Sequence, residues 1–330
     1  GWEQSGTCEW MIDAAGKLTV RPLGNGASGS LGRNSGSGAE SVPWYAQRES
    51  ITSAVVEPGV STTWADYMFF GCKNLVSVDI SNLNTANATY MSAMFSGCSS
   101  LASLNLSSLN TASVTDMRGM FSGCSSLVSL DLSGLDTSDV TDMAYLLYNC
   151  TSLASLNLSG LDTASVADMD SMFSDCTSLV SLDLSGFSTS NVTNMRYMFK
   201  NCTSLASLDL SGFDTSSVTD MDFMFYGCAS LASLNVSSFN TAKVTSMNCM
   251  FGMCEILTSL DVSGFNTASV TDMGGMFSNC KALTSLNASS FNTAKVTNFY
   301  AMFAFCSALA ELDLSSFEAT AAKDVSRMLW

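Results

Sequence analysis

Twelve cysteines are the first residues of this 330-residue chain that could do chemistry, as zinc ligands or as disulfides. Ten of them, Cys72, Cys98, Cys124, Cys150, Cys176, Cys202, Cys228, Cys254, Cys280 and Cys306, follow one another at intervals of 26 residues; only Cys8 and Cys249 stand outside the series. A straight column supplies one or two ligands per level, whereas a zinc site needs about four converging on one point. Disulfides between neighbouring turns are within reach, but they would make equivalent turns inequivalent. The spacing therefore predicts a cysteine ladder of small, buried, reduced thiols, and no metal site.

Carboxylates form a second set. Asp79, Asp131, Asp183, Asp209, Asp261 and Asp313 share one repeat position, which Asn105, Asn157, Asn235 and Asn287 fill in the other copies; Asp116, Asp142, Asp168, Asp220 and Asp272 share another. Such rows could hold calcium weakly between turns or pair for hydrolysis. No Asp-x-Asp-x-Asp-Gly loop accompanies them, and a flat row has no pocket. The bland reading is a solvated, self-repelling surface that aids solubility. A threonine column (Thr111, Thr137, Thr163, Thr189, Thr215, Thr241, Thr267) stands beside Asp or Asn, where hydroxyls cap backbone amides. Histidine is absent, and no unique Ser, Cys or Lys constellation replaces it. Catalytic residues and cofactors are therefore expected to be lacking, and the chain is read as a non-enzyme.

The elements that position these columns follow from the same period. In the unit opened by Cys202, the apolar positions are Leu205, Leu208, Leu210, Phe213, Val218, Met221, Met224 and Phe225. Leu recurs at the Leu205 position from Leu75 to Leu309, and Met at the Met224 position except for Leu146. Ser207 to Ser211 alternates apolar and polar residues, as a half-buried strand does. From Val218 the apolar spacing predicts a short helical segment, capped by Thr219 and Asp220. The residue before the repeat cysteine is Gly, Asn or Asp in eight of ten copies, the types that best tolerate a left-handed backbone. A strand, a turn and a helical segment per repeat, around an L-x-x-L-x-L core, describe an α/β leucine-rich-repeat solenoid. Its parallel sheet would lie on one face and its short helical turns on the other.

The string at 198–221, Met-Phe-x-x-Cys-x-x-Leu-x-x-Leu-Asp-Leu-Ser-x-Phe-Asp-Thr-Ser-x-Val-Thr-x-Met, resembles the BspA-like leucine-rich repeats of bacterial surface proteins. It is similar in particular to their 26-residue-repeat surface protein and lipoprotein subgroup, and the resemblance covers about 51–330. It implies an extracellular protein of the bacterial cell surface that acts in adhesion or interaction.

Domains are expected at 1–50, an N-terminal cap, and 51–330, the solenoid with its last turn incomplete. In the cap, Trp10-Met11-Ile12 and Leu18-Thr19-Val20 flank a turn and predict a β-hairpin; residues 24–41 are Gly/Ser-rich and predict a mobile loop. The start at Gly1 and the stop in mid-repeat read as an excised fragment whose anchor lies elsewhere.

A net charge of -16 repels phosphate backbones and anionic lipid, so no nucleic-acid partner is expected. No apolar run approaches the ~20 residues of a membrane span, so this segment should not insert into membranes. A monomer is expected. The repeat is broken most informatively on the helical segment, where most copies carry Ser, Ala or Gly. There Tyr145, Tyr148, Tyr197, Lys200, Phe223 and Tyr226 point farthest from the core by helical phase. Exposed aromatics without a packing role are typical interface anchors. These six are the candidate partner-binding residues, for a host or neighbouring-cell protein or glycan. The competing reading is a passive spacer that presents another domain.

Overall fold

A computed structural model describes residues 1–330. The chain divides into two compact units, Gly1–Ser165 and Val166–Trp330. Each is a leucine-rich-repeat solenoid segment wound from 26-residue turns.

The first unit opens with β1 (Glu3–Ser5), β2 (Cys8–Ile12) and β3 (Lys17–Pro22), which pair antiparallel in sequence order. The β2–β3 hairpin turns at Asp13, whose Oδ1 accepts the N–H groups of Ala15 and Lys17 at 2.9 Å each. Then come β4 (Gly29–Ser30), β5 (Ser53–Val56), β6 (Val60–Ser61) and β7 (Ser77–Asp79). β3 pairs in parallel with β5, and β5 with β7, so the hairpin sheet runs directly into the repeats. Buried Trp44 covers the first turn, donating from Nε1 to the Met68 carbonyl at 2.8 Å and packing on Phe69. The 24–41 stretch differs from its expectation as a loose loop. β4 pairs with β6, and Arg33 grips both Asp66 oxygens at 2.9 and 3.0 Å.

The parallel sheet is less continuous than alternation predicts. Past β7 it survives as β8 (Ser129–Asp131) with β9 (Ser155–Asn157) in the first unit, and β10 (Ser285–Leu286) with β11 (Glu311–Leu312) in the second.

The main seam between turns lies instead on the segment expected to be helical, and it explains why no helix forms there. Met224, Tyr226 and Cys228 donate three residues back, to Met221, Phe223 and Phe225, at 3.3, 3.1 and 3.1 Å. The alternate amides of Met221, Phe223, Phe225 and Gly227 donate to carbonyls of the next turn, on Ser246, Asn248, Met250 and Gly252, at 2.8–3.2 Å. Phe223 (φ +56°) and Gly227 (φ +76°) are left-handed. A left-handed residue every fourth position stops the i→i−4 pattern of an α-helix. The stack supplies the missing acceptors.

Inside each unit the repeat positions superpose as columns. Phe69, Phe95 and Phe121 stack at 5.5 and 6.0 Å between ring centroids in the first unit; Phe173, Phe199, Phe225, Phe251, Phe277 and Phe303 do so at 5.6–5.8 Å in the second. The twelve cysteines are free thiols, and ten are fully buried. Cys98 donates from Sγ to the Phe69 carbonyl at 3.2 Å, and Cys228 to that of Phe199 at 3.2 Å. The threonines are buried clamps. Thr215 Oγ1 donates to the Asn240 carbonyl at 2.9 Å and accepts the Asn240 N–H at 2.8 Å, tying one turn to the next through one backbone residue.

Candidate interaction site

The six residues singled out on the sequence occupy two repeat positions of the turn-side seam. The first, that of Tyr197, is left-handed in every turn from Tyr67 to Arg327, with φ between +51° and +62°. Glycine fills it only at Gly119 and Gly275; Tyr145, Tyr197 and Phe223 hold bulky side chains where the backbone costs a non-glycine residue roughly 1–2 kcal/mol. Every turn shares this conformation, so it belongs to the winding of the coil. It also fixes the direction of the side chain, which leaves the seam between two ladder hydrogen bonds.

In the second unit the structure brings four of the six together. Tyr197 and Phe223, one turn apart, stack with centroids at 5.1 Å, and Tyr226 meets Phe223 edge-on at 5.3 Å. Lys200 places Nζ 5.3 Å from the Tyr197 centroid, and the Arg196 guanidinium lies 5.0 Å from it. All four are half-exposed. In the first unit Tyr145 and Tyr148 meet edge-on at 5.7 Å, with Arg118 4.9 Å from the Tyr145 centroid.

The sequence reading missed a third cluster at the same two positions. Tyr67 meets Phe70 at 5.6 Å, and Tyr45 from the cap stacks on Phe70 at 6.4 Å under Arg48. The signal was available, because Tyr67 and Phe70 fall on the Tyr197 and Lys200 positions, five repeats earlier. Also missed was the placement of arginine. Each of the six arginines lies over an aromatic ring, at 3.5–5.0 Å from its centroid.

Beside the second-unit cluster lies a polar group that no single repeat reveals. Arg196 Nε sits 3.3 Å from Asp220 Oδ2 without an aligned hydrogen bond, and the Asp170 and Asp222 carboxylates act on the same guanidinium. Asp170 accepts from the Ser171 hydroxyl at 2.6 Å; Asp222 accepts from the Ser246 hydroxyl and, at 2.8 Å, from the Asn248 amide. Burial pushes all three carboxyls above the ordinary carboxylate range, against the lowering pull of Arg196.

The strand-side aspartates behave differently. Asp209 Oδ1 accepts the Ser211 N–H at 2.9 Å, and Asp261 accepts both the N–H and the hydroxyl of Ser263. Those bonds favour the charged form and hold both carboxyls below the ordinary range. Together with Asn235 they line a shallow trough of about 480 Å³. No group of three or more Cys, Asp or Glu side chains converges as a metal site. Burial raises the repeat thiols, Cys72 and Cys228 to about 12, so they are poor nucleophiles. No helix is long and apolar enough to cross a membrane.

Among solved structures, the chain is similar to a leucine-rich repeat protein from Eubacterium ventriosum (16% identity, 94% of this chain and 90% of that one, TM-score 0.46). It is similar also to one from Bacteroides ovatus (16%, 94% and 82%, TM-score 0.45) and to a leucine-rich cell surface protein from Faecalibacterium prausnitzii (16%, 90% and 94%, TM-score 0.37). No curated protein matches the sequence significantly. A family profile described as "Mycoplasma protein of unknown function, DUF285" matches four overlapping segments, 60–155, 127–234, 203–311 and 256–330; these span all the repeats, and the chain belongs to that family.

Proposed function

We propose that the chain is a non-enzymatic binding module of a bacterial surface protein. In this reading it contacts a host or neighbouring-cell protein or glycan through the turn-side aromatic face and needs no cofactor. The observation that carries the reading is the Tyr197–Phe223–Tyr226 cluster with Lys200. Bulky rings stand at a left-handed position that favours glycine, on the outside of a wall whose interior repeats faithfully. Rings of this kind, rigid and with few rotamers to freeze, supply most of the energy in recognition surfaces. The BspA-like resemblance supports a surface location and an adhesive role.

The test is binding of the fluorescently labelled chain to a cultured epithelial monolayer. The double substitution Phe223→Ala and Tyr226→Ala should reduce binding at least about tenfold, the loss of one hot spot, with unfolding nearly unchanged. Equal binding by both proteins, or none by either, would favour the spacer.

A further inference from the structure

We propose that Gly252 seats the Tyr226 ring as a stacking platform, and that a sugar ring of a neutral glycan docks on it. Resting on the reading of the aromatic cluster as an interaction site, this narrows the partner to one chemistry.

Glycine at 252 is an exception that the backbone does not require. The equivalent residues of other turns are Ser, Ala, Lys, Phe, Tyr or Trp, and Gly252 is not among the left-handed residues. Its missing Cβ makes room instead. A Cβ there would stand 2.9 Å from Tyr226 Cδ2 and 3.2 Å from Cε2, closer than carbon atoms pack. Tyr226 therefore rests one side of its ring on the bare backbone of the next turn, while Phe223 holds it edge-on at 5.3 Å. The seam fixes both residues. The Tyr226 amide donates to the Phe223 carbonyl at 3.1 Å, the Tyr226 carbonyl accepts from Asn201 at 2.7 Å, and the Gly252 carbonyl accepts from Gly227 at 2.9 Å. The ring remains half-exposed. A ring held in this way is ordered before any ligand arrives, so docking freezes little rotamer freedom.

Area, chemistry and charge select the ligand. A stable protein interface buries about 800 Å² on each partner around an apolar core, whereas the surrounding positions of this wall are Ser174, Asn201, Gly227, Gly275 and Ser278. A narrow ligand with polar edges fits such a spot. A sugar ring has an apolar face whose C–H groups, polarised by the attached oxygens, match the negative face of an aromatic ring. Its rim of hydroxyls needs hydrogen-bonding groups alongside, and the Asn201 amide lies there, against Gly227, with its Nδ2 donating to Asp175 at 2.8 Å. An anionic ligand would meet Asp170, Asp220 and Asp222, which outnumber Arg196 and Lys200; a cationic one would meet those two cations, already seated on Tyr197. A neutral ligand meets neither repulsion.

The full chain is tested on two probes: a printed array of neutral oligosaccharides, and the epithelial monolayer before and after periodate, which cleaves the vicinal diols of sugars. The chain should bind the array, and periodate should remove its binding to the monolayer. Gly252→Ala should weaken both about tenfold, the loss of one anchor, with the urea midpoint nearly unchanged, and should add nothing in a Tyr226→Ala background because both act through one ring. Tyr226→Phe, which keeps the ring, should retain most of the binding, and its contrast with Tyr226→Ala tests the platform should Gly252→Ala fold poorly. Full binding by folded Gly252→Ala, or equal binding by Tyr226→Ala and Tyr226→Phe, would overturn the proposal. A blank array with monolayer binding that survives periodate would overturn the glycan and leave the interaction reading standing; no binding to either probe would remove both.

Discussion

Phe223 and Phe225 stand two residues apart in one turn and have opposite duties. Phe225 is fully buried, stacked on Phe199 and Phe251 in a column that repeats level after level. Phe223 is half-exposed and stacks on Tyr197, but the equivalent position in the next turn is Cys249 and in the one after it Gly275. The seam geometry is the same at both residues: each amide donates to the next turn. Backbone bonding therefore winds the coil whatever stands outside it. The interior side chains must match their neighbours above and below, whereas the outer ones are free to vary. Variation outside a fixed wall is what a recognition surface needs.

The largest effect that could break this comparison is truncation of the interior ring. Phe225→Ala should cost about 3–5 kcal/mol in urea unfolding, whereas Phe223→Ala should cost roughly 1 kcal/mol, the worth of one aromatic pair. Equal losses would show that both rings are structural. Next is the clamp: Thr215→Val keeps the shape but strands the Asn240 amide and carbonyl, and should cost about 1–3 kcal/mol. A stabilising change sharpens the contrast from the other side. Ala301 occupies the left-handed outer position at φ +52°, so Ala301→Gly should raise stability by about 0.5–1 kcal/mol in the same assay.

The smallest effect is in pH dependence, and its sign differs between the two faces. Asp170, Asp220 and Asp222 have raised folded-state values, so the folded chain binds their protons more tightly than the unfolded chain does. Their contribution to stability grows as pH falls through those folded values and levels off below the unfolded ones. Asp209 and Asp261 have lowered values, and their contribution is present above the unfolded value and disappears as pH falls through the folded one. Asp222→Asn should therefore remove part of any gain between neutral and mildly acidic pH, while Asp209→Asn should leave that interval unchanged and alter only the acid limb. Thermal unfolding followed across pH distinguishes them.

Much of this was legible in the sequence because each turn repeats its instructions. The cysteine interval fixes the register, the recurring Leu and Met mark the core, and Gly, Asn or Asp before each cysteine announces a left-handed residue that the structure does contain. The helix was misread for a specific reason. Val218, Met221, Met224 and Phe225 have helical spacing, but the second left-handed residue, at the position of Phe223, carries no glycine signal in most turns. Two ladders at once, three residues back and one turn ahead, produce the same apolar pattern. The Arg196 cluster escaped because its three carboxylates come from two turns, on either side of the one that carries Arg196, and from two repeat positions. Reading Asp220, 24 residues after Arg196, as its ion-pair partner on the next level would have found it.

The threonine clamp has a consequence for how such a chain can change in length. Thr215 meets Asn240 only because the count from one to the other is fixed, and the same count joins Thr241 to Asn266. Losing one residue within a turn would misalign hydroxyl, carbonyl and thiol together at that level. Excising a complete turn would present each remaining level with a neighbour of the same chemistry. Such a protein can grow or shrink by gene duplication and deletion only in whole windings, and the outer side chains of each winding are the one part that can be rewritten separately.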